Sequence, residues 1–231
     1  MEPAGKAHAF VSDLHAPELS EDDEHHLSRV LRVRPGDELT VSDGAGGWRR
    51  CRFGPRLEPS GPIERDDAAH PEIAVAFALV KGERPEWVVQ KLTEVGVDRI
   101  VPFVAERTVV HWDERKAVRN HARLVLVARE AAMQSRRAWL PVVERIMTFA
   151  EVATRPGAVL ADRAGAPPSL RRPLVLVGPE GGWSEQERGS GLPSIGLGPH
   201  VLRAETAAIV AGAALCGLRS ALFESVDGHG G

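Results

Sequence analysis

Hydrophobic positions change their spacing near residue 70. Before it they alternate with polar ones over short stretches. In "DELTVSDGAGGWRRCRF" Leu39 and Val41 alternate, the pattern breaks from Asp43 to Gly47, and it resumes from Trp48 to Phe53. This predicts a β-hairpin with a glycine-rich loop, built into a small β-barrel. Upstream, "SEDDEHHLSRVLRVRPGD" predicts a short helix capped by Ser20, acidic in its first turn, with Arg29 and Arg32 toward its end and Pro35-Gly36 as its stop. "EPSGPIERDDAAHPE" (Glu58 to Glu72) is polar, contains three prolines and lacks a sustained period, so it reads as an exposed connection. Two domains are expected, residues 1–70 and 71–231.

Beyond the connection, buried-strand runs alternate with helical stretches. "EIAVAFALV" is followed by "RPEWVVQKLTEVG", where Trp87, Val88, Leu92 and Val95 fall on one helical face and Gly96 marks the stop. "RIVPFVA" precedes a long arginine-rich helix, "RKAVRNHARLVLVAREAAMQSRR"; strands follow at "AVLAD", "PLVLVG" and "SIGLG", then an alanine-rich helix from about Glu205 to Leu222. The pattern is that of an α/β domain with a largely parallel sheet, in which ligands collect beyond the carboxyl ends of the strands.

Composition narrows the function classes. The 231 residues carry a formal net charge of −3, are 43% hydrophobic and include two cysteines. Cys51 and Cys216 lie far apart without Cys/His spacing, which indicates neither a disulfide framework nor a metal site. No apolar run approaches the roughly 20 residues of a membrane span, and "MEPAGKAHAF" has no apolar signal core, so a cytoplasmic location is expected. The charge is uneven: Arg29 to Arg56 holds seven arginines against Asp37, Glu38 and Asp43, and Arg115 to Arg145 holds eight basic residues against Glu130 and Glu144. Each strip is either a solvated face or a phosphate-binding surface.

Two glycine-bearing stretches carry candidate chemistry. "VLVGPEGGWSEQE" leaves a predicted strand, has neither the dinucleotide-fold nor the P-loop order, and runs into a capping-box pattern from Ser184 to Glu187. Its glycines either permit a tight turn or let backbone amides approach a ligand. "IGLGPHVLRAETAAIVAGAAL" repeats the arrangement of strand end, glycine turn and helix start, and places Arg203 and Glu205 at the junction. Two such loops on neighbouring strand ends predict a pocket.

Together "LVGPEGGWSEQE" and "GLGPHVLRAETAAI" resemble the two C-terminal motifs of the bacterial 16S rRNA uridine-N3 methyltransferases, RsmE-type, within the SPOUT superfamily. "HHLSRVLRVRPGDELTVSDG" is similar to that family's PUA-like barrel. "KGERPEWVVQKLTEVGVDRIVPFVAERTVV" and "AREAAMQSRRAWLP" are similar to the start and the central helix of its methyltransferase domain. The resemblance implies a trefoil knot in the C-terminal domain, a homodimer, and S-adenosylmethionine bound at its interface. It implies that Val177, Gly178, Glu180 and Gly181 line one side of the cofactor pocket and Ile195, Leu197, Gly198, Val201 and Leu202 the other.

Such an enzyme must orient the uracil, assist removal of the N3 proton and stabilise charge spreading onto the carbonyl oxygens. Arg203 is the candidate for charge stabilisation. Glu205 is either the proton acceptor or a partner of the helix N-terminus. His200 and the His25-His26 pair are further candidates, or surface residues. The RNA-binding candidates are Arg29, Arg32 and Arg34 from the first strip and Arg136 and Arg137 from the second, meeting 16S rRNA by shape and phosphate within the small ribosomal subunit. The cofactor motifs specify the methyl donor better than the acceptor, which leaves open another RNA base or a ribose. A non-catalytic RNA-binding assembly factor is the other alternative, and the intact motifs argue against it. The tail "SVDGHGG" reads as a disordered end.

Overall fold

A computed structural model describes residues 5–82, 84–110 and 112–223; the tail expected to be disordered lies outside them. The chain forms two compact units, one running to Ala69 and including Arg129–Leu140, the other comprising His70–Ala128 and the chain from Pro141.

In the first unit β1 (His8–Phe10) is followed by α1 (Glu21–His25), β2 (Glu38–Ser42) and β3 (Gly47–Arg52). β2 and β3 form the expected antiparallel hairpin, and β1 lies parallel to β2. The Asp43 carboxylate closes the hairpin loop by accepting from the backbone N–H groups of Ala45 at 2.7 Å and Gly47 at 2.9 Å. Gly46 has φ 91°, and a Cβ there would stand 2.6 Å from both the Trp139 ring and the Asp66 carbonyl, so glycine is required. The stretch read as an exposed connection is exposed, but it also supplies two edge strands to β3, namely β4 (Glu58–Pro59) and β5 (Glu64–Arg65). Arg49 fixes it by donating to the carbonyls of Leu14 at 2.8 Å and Gly61 at 2.7 Å, and an edge position tolerates Pro59.

Ser20 caps α1 as expected, accepting from the Asp23 N–H at 3.1 Å. The helix does not reach Pro35. It passes into one π-type turn (His26–Val30), and the Val33 N–H returns to the Leu27 carbonyl at 2.9 Å around Arg32, whose φ is 54°. Asp23 is buried, and the Arg129 guanidinium grips both its carboxylate oxygens, at 2.8 and 2.7 Å, while lying 5.7 Å over the Phe10 ring. Burial pushes the Asp23 carboxyl upward, and hydrogen bonds from Arg129 and Ser20 more than reverse this, leaving it below the ordinary value. This pair ties Arg129–Leu140 to the first unit, where Ala132 and Met133 join Leu27, Leu39, Val41 and Cys51 in one core.

The second unit contains β6 (Ala74–Ala78), α2 (Arg84–Val95), β7 (Arg99–Val104) and the start of α3 (Glu114–Gln134). It continues with β8 (Val142–Val143), β9 (Met147–Thr148), α4 (Phe149–Ala153) and β10 (Ala158–Ala166), then β11 (Leu174–Val177), α5 (Glu185–Arg188), β12 (Ser194–Ile195) and α6 (Ala204–Arg219). The sheet is parallel throughout, in the order β12-β10-β11-β6-β7-β8, with β9 also on β7. Its central strands are buried on both faces, which explains their unbroken apolar runs. Alternate residues enter two cores: Val75, Phe77, Val175 and Val177 meet Leu92 and Leu215 on one face, and Ala74, Ala76, Leu174 and Leu176 meet Phe103 and Trp183 on the other.

One helix-face expectation changes. Val88, Val89 and Leu92 point α2 inward, whereas Trp87 is 44% exposed. On α6 a Cβ at Gly212 would stand 2.8 Å from Leu92 and 2.9 Å from Val97, so packing within the chain requires glycine there.

His8 is buried in the first unit, its Nδ1 2.8 Å from the Thr40 hydroxyl. Burial lowers its pKa from 6.5 to about 4; a backbone hydrogen bond to Arg137 opposes the shift and the Arg136 charge adds to it. The unfolded chain takes up this proton first, so the stability held above pH 6.5 is lost as pH falls toward 4, by up to about 3 kcal/mol. Unfolding titrations across this range are expected to show a shallower decline for His8→Phe than for the wild type; parallel curves refute the assignment.

Candidate active site

The first glycine loop leaves the carboxyl end of β11. Within it the Gly182 N–H turns back to the Pro179 carbonyl at 2.8 Å, with Gly182 at φ 69°. Trp183 anchors the loop: its indole N–H donates to the Ala161 carbonyl on β10 at 2.9 Å, and its buried ring stacks on Phe103 with centroids 6.2 Å apart. The predicted capping box then forms, with Ser184 and Glu187 each accepting the other's backbone N–H. Glu187 does more than cap. Its buried carboxylate also accepts from the Glu106 N–H at 2.9 Å, which joins the loop after β7 to the glycine loop.

The second glycine loop follows β12. β10 passes so close to β12 that a Cβ at Gly165 would lie 2.3 Å from the Ile195 carbonyl carbon, and the Gly196 N–H donates to the Ala166 carbonyl at 2.8 Å. Gly198 has φ 137°, and the position its Cβ would occupy faces open space. The loop ends where Arg203 takes the N-cap position of α6.

Because β10 lies between β11 and β12, the two loops stand beside one another. A cavity of about 280 Å³ opens there. Val177, Gly178, Glu180, Leu197, Gly198, Val201 and Leu202 are on its wall. Gly181 and Ile195 are not: Gly181 turns its carbonyl to the Arg107 guanidinium at 3.1 Å, and Ile195 is buried in the sheet. Arg203 and Glu205 lie in the adjoining stretch, Arg203 exposed and Glu205 buried, neither on the wall, although Leu202 and Ala204 are. His200 is on the wall; His25 and His26 are exposed residues of the first unit. The sequence reading missed the contribution of β10, whose Ala161, Asp162 and Arg163 complete the wall, and Arg188, which pairs with Asp162 across it. The only available signal was an acid at the end of "AVLAD", uninformative without the strand order.

Charge around the cavity is partly neutralised. Arg84 stands 3.4 Å from Glu180 and 3.6 Å from Glu205. The second oxygen of Glu205 is buried without a hydrogen-bond partner among the described residues. Of the expected RNA-binding residues, Arg29, Arg32 and Arg34 are exposed and Arg136 and Arg137 half-buried, all in the first unit. Arg129 and Arg145, from the second basic strip, are held by Asp23 and Glu151. Among the described residues no group of three or more acidic, histidine or cysteine side chains is arranged to hold a metal, and no helix is long and apolar enough to cross a membrane.

Residues 68–216 match the RNA methyltransferase domain family, and residues 19–54 the RNA methyltransferase PUA domain. Ribosomal RNA small subunit methyltransferase E of Mycobacterium tuberculosis is 32% identical over 219 residues, covering 82% of each chain. The chain belongs to the ribosomal RNA small subunit methyltransferase E family. The Bacillus subtilis member is 29% identical, over 84% of this chain and 86% of its own. A crystal structure of the Neisseria gonorrhoeae member, bound to S-adenosyl methionine, is similar with TM-score 0.76 and 28% identity, covering 92% of this chain and 97% of that one. One from Legionella pneumophila, in complex with the bound cofactor SAM, has TM-score 0.76 and 27% identity over 90% and 96%.

Glu187 braces the first glycine loop against the loop after β7. Glu187→Gln keeps one oxygen acceptor for two backbone donors and turns an amide N–H toward the other, and is expected to cost about 1–3 kcal/mol in thermal unfolding. An unchanged midpoint refutes the bracing role.

Proposed function

We propose that this protein transfers a methyl group from S-adenosylmethionine to N3 of a uridine in 16S rRNA, acting on the small ribosomal subunit. The observation that carries the reading is the convergence of two glycine loops on one cavity, at the carboxyl ends of two parallel strands that flank β10. The residues suit the cofactor. Val177, Leu197 and Leu202 offer an apolar slot for adenine, Gly198 leaves its side-chain space open, and Asp162 and Glu180 supply acceptors for hydroxyl or cationic groups. The cofactor supplies a methyl already activated by its sulfonium.

The remaining chemistry falls to the chain. Arg203, exposed at the head of α6, is proposed to stabilise negative charge on the uracil oxygens. Glu205 is the poorer candidate for proton acceptor: it lies in the first turn of α6 and stands 3.6 Å from Arg84, a placement that suits a carboxylate holding the helix start. Arg29, Arg32, Arg34, Arg136 and Arg137 are proposed to meet RNA phosphates from the first unit. The trefoil crossing and the homodimer expected from the family belong to the same proposal, and exposed Trp87 and Val201 offer apolar surface for a second copy.

Mapping 16S rRNA by mass spectrometry in a strain lacking this gene is expected to show one missing N3-methyluridine; an unaltered modification map overturns the reading. Gly198→Val is expected to abolish cofactor binding by calorimetry without unfolding the chain, and retained affinity removes Gly198 from the pocket. Arg203→Ala is expected to lower the single-turnover rate at saturating RNA by about 10² with cofactor affinity unchanged. A near-normal rate excludes the charge-stabilising role.

A further inference from the structure

We propose that Arg107, on the loop after β7, is an RNA-binding residue at the edge of the cofactor cavity and takes a phosphate of the substrate strand. The inference rests on the cofactor and RNA reading above and adds to it a contact from the second unit.

The backbone that presents Arg107 is fixed on both sides. The Thr108 N–H donates to the Ala105 carbonyl at 3.0 Å, and the Ala105 N–H donates to the buried Thr108 hydroxyl at 2.9 Å. The preceding Glu106 N–H is held by the buried Glu187 carboxylate at 2.9 Å. The side chain lies along the glycine loop. A Cβ at Gly181 would stand 3.3 Å from the Arg107 Cβ, and the guanidinium donates to the Gly181 carbonyl at 3.1 Å. Gly181 sits between Glu180 and Gly182, both on the cavity wall, so the cation is held one residue from the wall of the proposed cofactor cavity.

Its remaining donors are the informative part. Arg188 on the cavity wall pairs with Asp162 and Arg84 pairs with Glu180, whereas among the described residues no carboxylate pairs with Arg107, and the residue is exposed. One backbone hydrogen bond orients the guanidinium and leaves most of its fork open to solvent. A positioned, unneutralised fork matches two phosphate oxygens, and a positive charge beside the transfer site favours the backbone flanking the target base.

The test uses the full chain with small ribosomal subunits from a strain lacking the gene, measuring RNA affinity against salt and S-adenosylmethionine affinity by calorimetry. Arg107→Ala is expected to weaken subunit binding about tenfold at low salt and to make the salt slope shallower by about 0.7–0.9, with cofactor affinity unchanged. Arg107→Lys is expected to restore the slope while recovering only part of the affinity, since a point charge replaces a fork. If the alanine variant instead loses cofactor affinity and thermal stability while its salt slope stays at the wild-type value, Arg107 is a strut for the glycine loop and the proposal is wrong. An unchanged slope with every affinity intact refutes it equally. Failure of the wild type itself to bind S-adenosylmethionine overturns the underlying reading, an outcome separate from either result on Arg107.

Discussion

The close approach of β12 to β10 is the constraint on which the site depends. A side chain at Gly165 would meet the Ile195 backbone at 2.3–2.5 Å, so this contact exists only where β10 offers no Cβ. With β12 seated there and β11 on the other side, the two glycine loops emerge on either side of the same strand end. The cavity follows from strand order.

Arginines divide by partner rather than by position in sequence. Arg129 and Arg219 are structural, the first gripping Asp23 and the second bonded to Asp98 and to the carbonyls of Pro71 and Gly96. Arg49 spends its donors on two loop carbonyls. Arg29, Arg32, Arg34 and Arg107 are exposed, and the proposed RNA contact draws on that set rather than on the net charge of −3. Counting basic residues along a strip cannot separate these classes.

Features set by neighbours in sequence were legible. The hairpin around Asp43 to Gly47, the Ser20 cap and the Ser184 to Glu187 box involve residues a few positions apart, where turn and capping chemistry leave a readable pattern. What depended on distant partners was not. Trp87 falls in the apolar run with Val88, but only the packed α2 shows that it faces outward. Asp23 and Arg129 are 106 positions apart, and Asp162 enters the site only because β10 lies between the other two strands. The glycine loops were legible as strand-end patterns; their local sequence alone did not distinguish a tight turn from a ligand cradle, and the family resemblance supplied that reading.

α3 is one uninterrupted helix, yet Leu124 and Ala128 belong to the core of the second unit while Ala132 and Met133 belong to that of the first. The chain therefore has no cut that separates two self-sufficient pieces. A fragment ending near residue 70 keeps every strand of the first unit's sheet and still lacks part of its core, and it strands the Asp23 carboxylate without its guanidinium. Such units cannot be exchanged between proteins as cassettes. Any recombination that preserves the fold has to carry the helical segment along with the N-terminal strands, so the inheritance of the first unit is bound to that of the second.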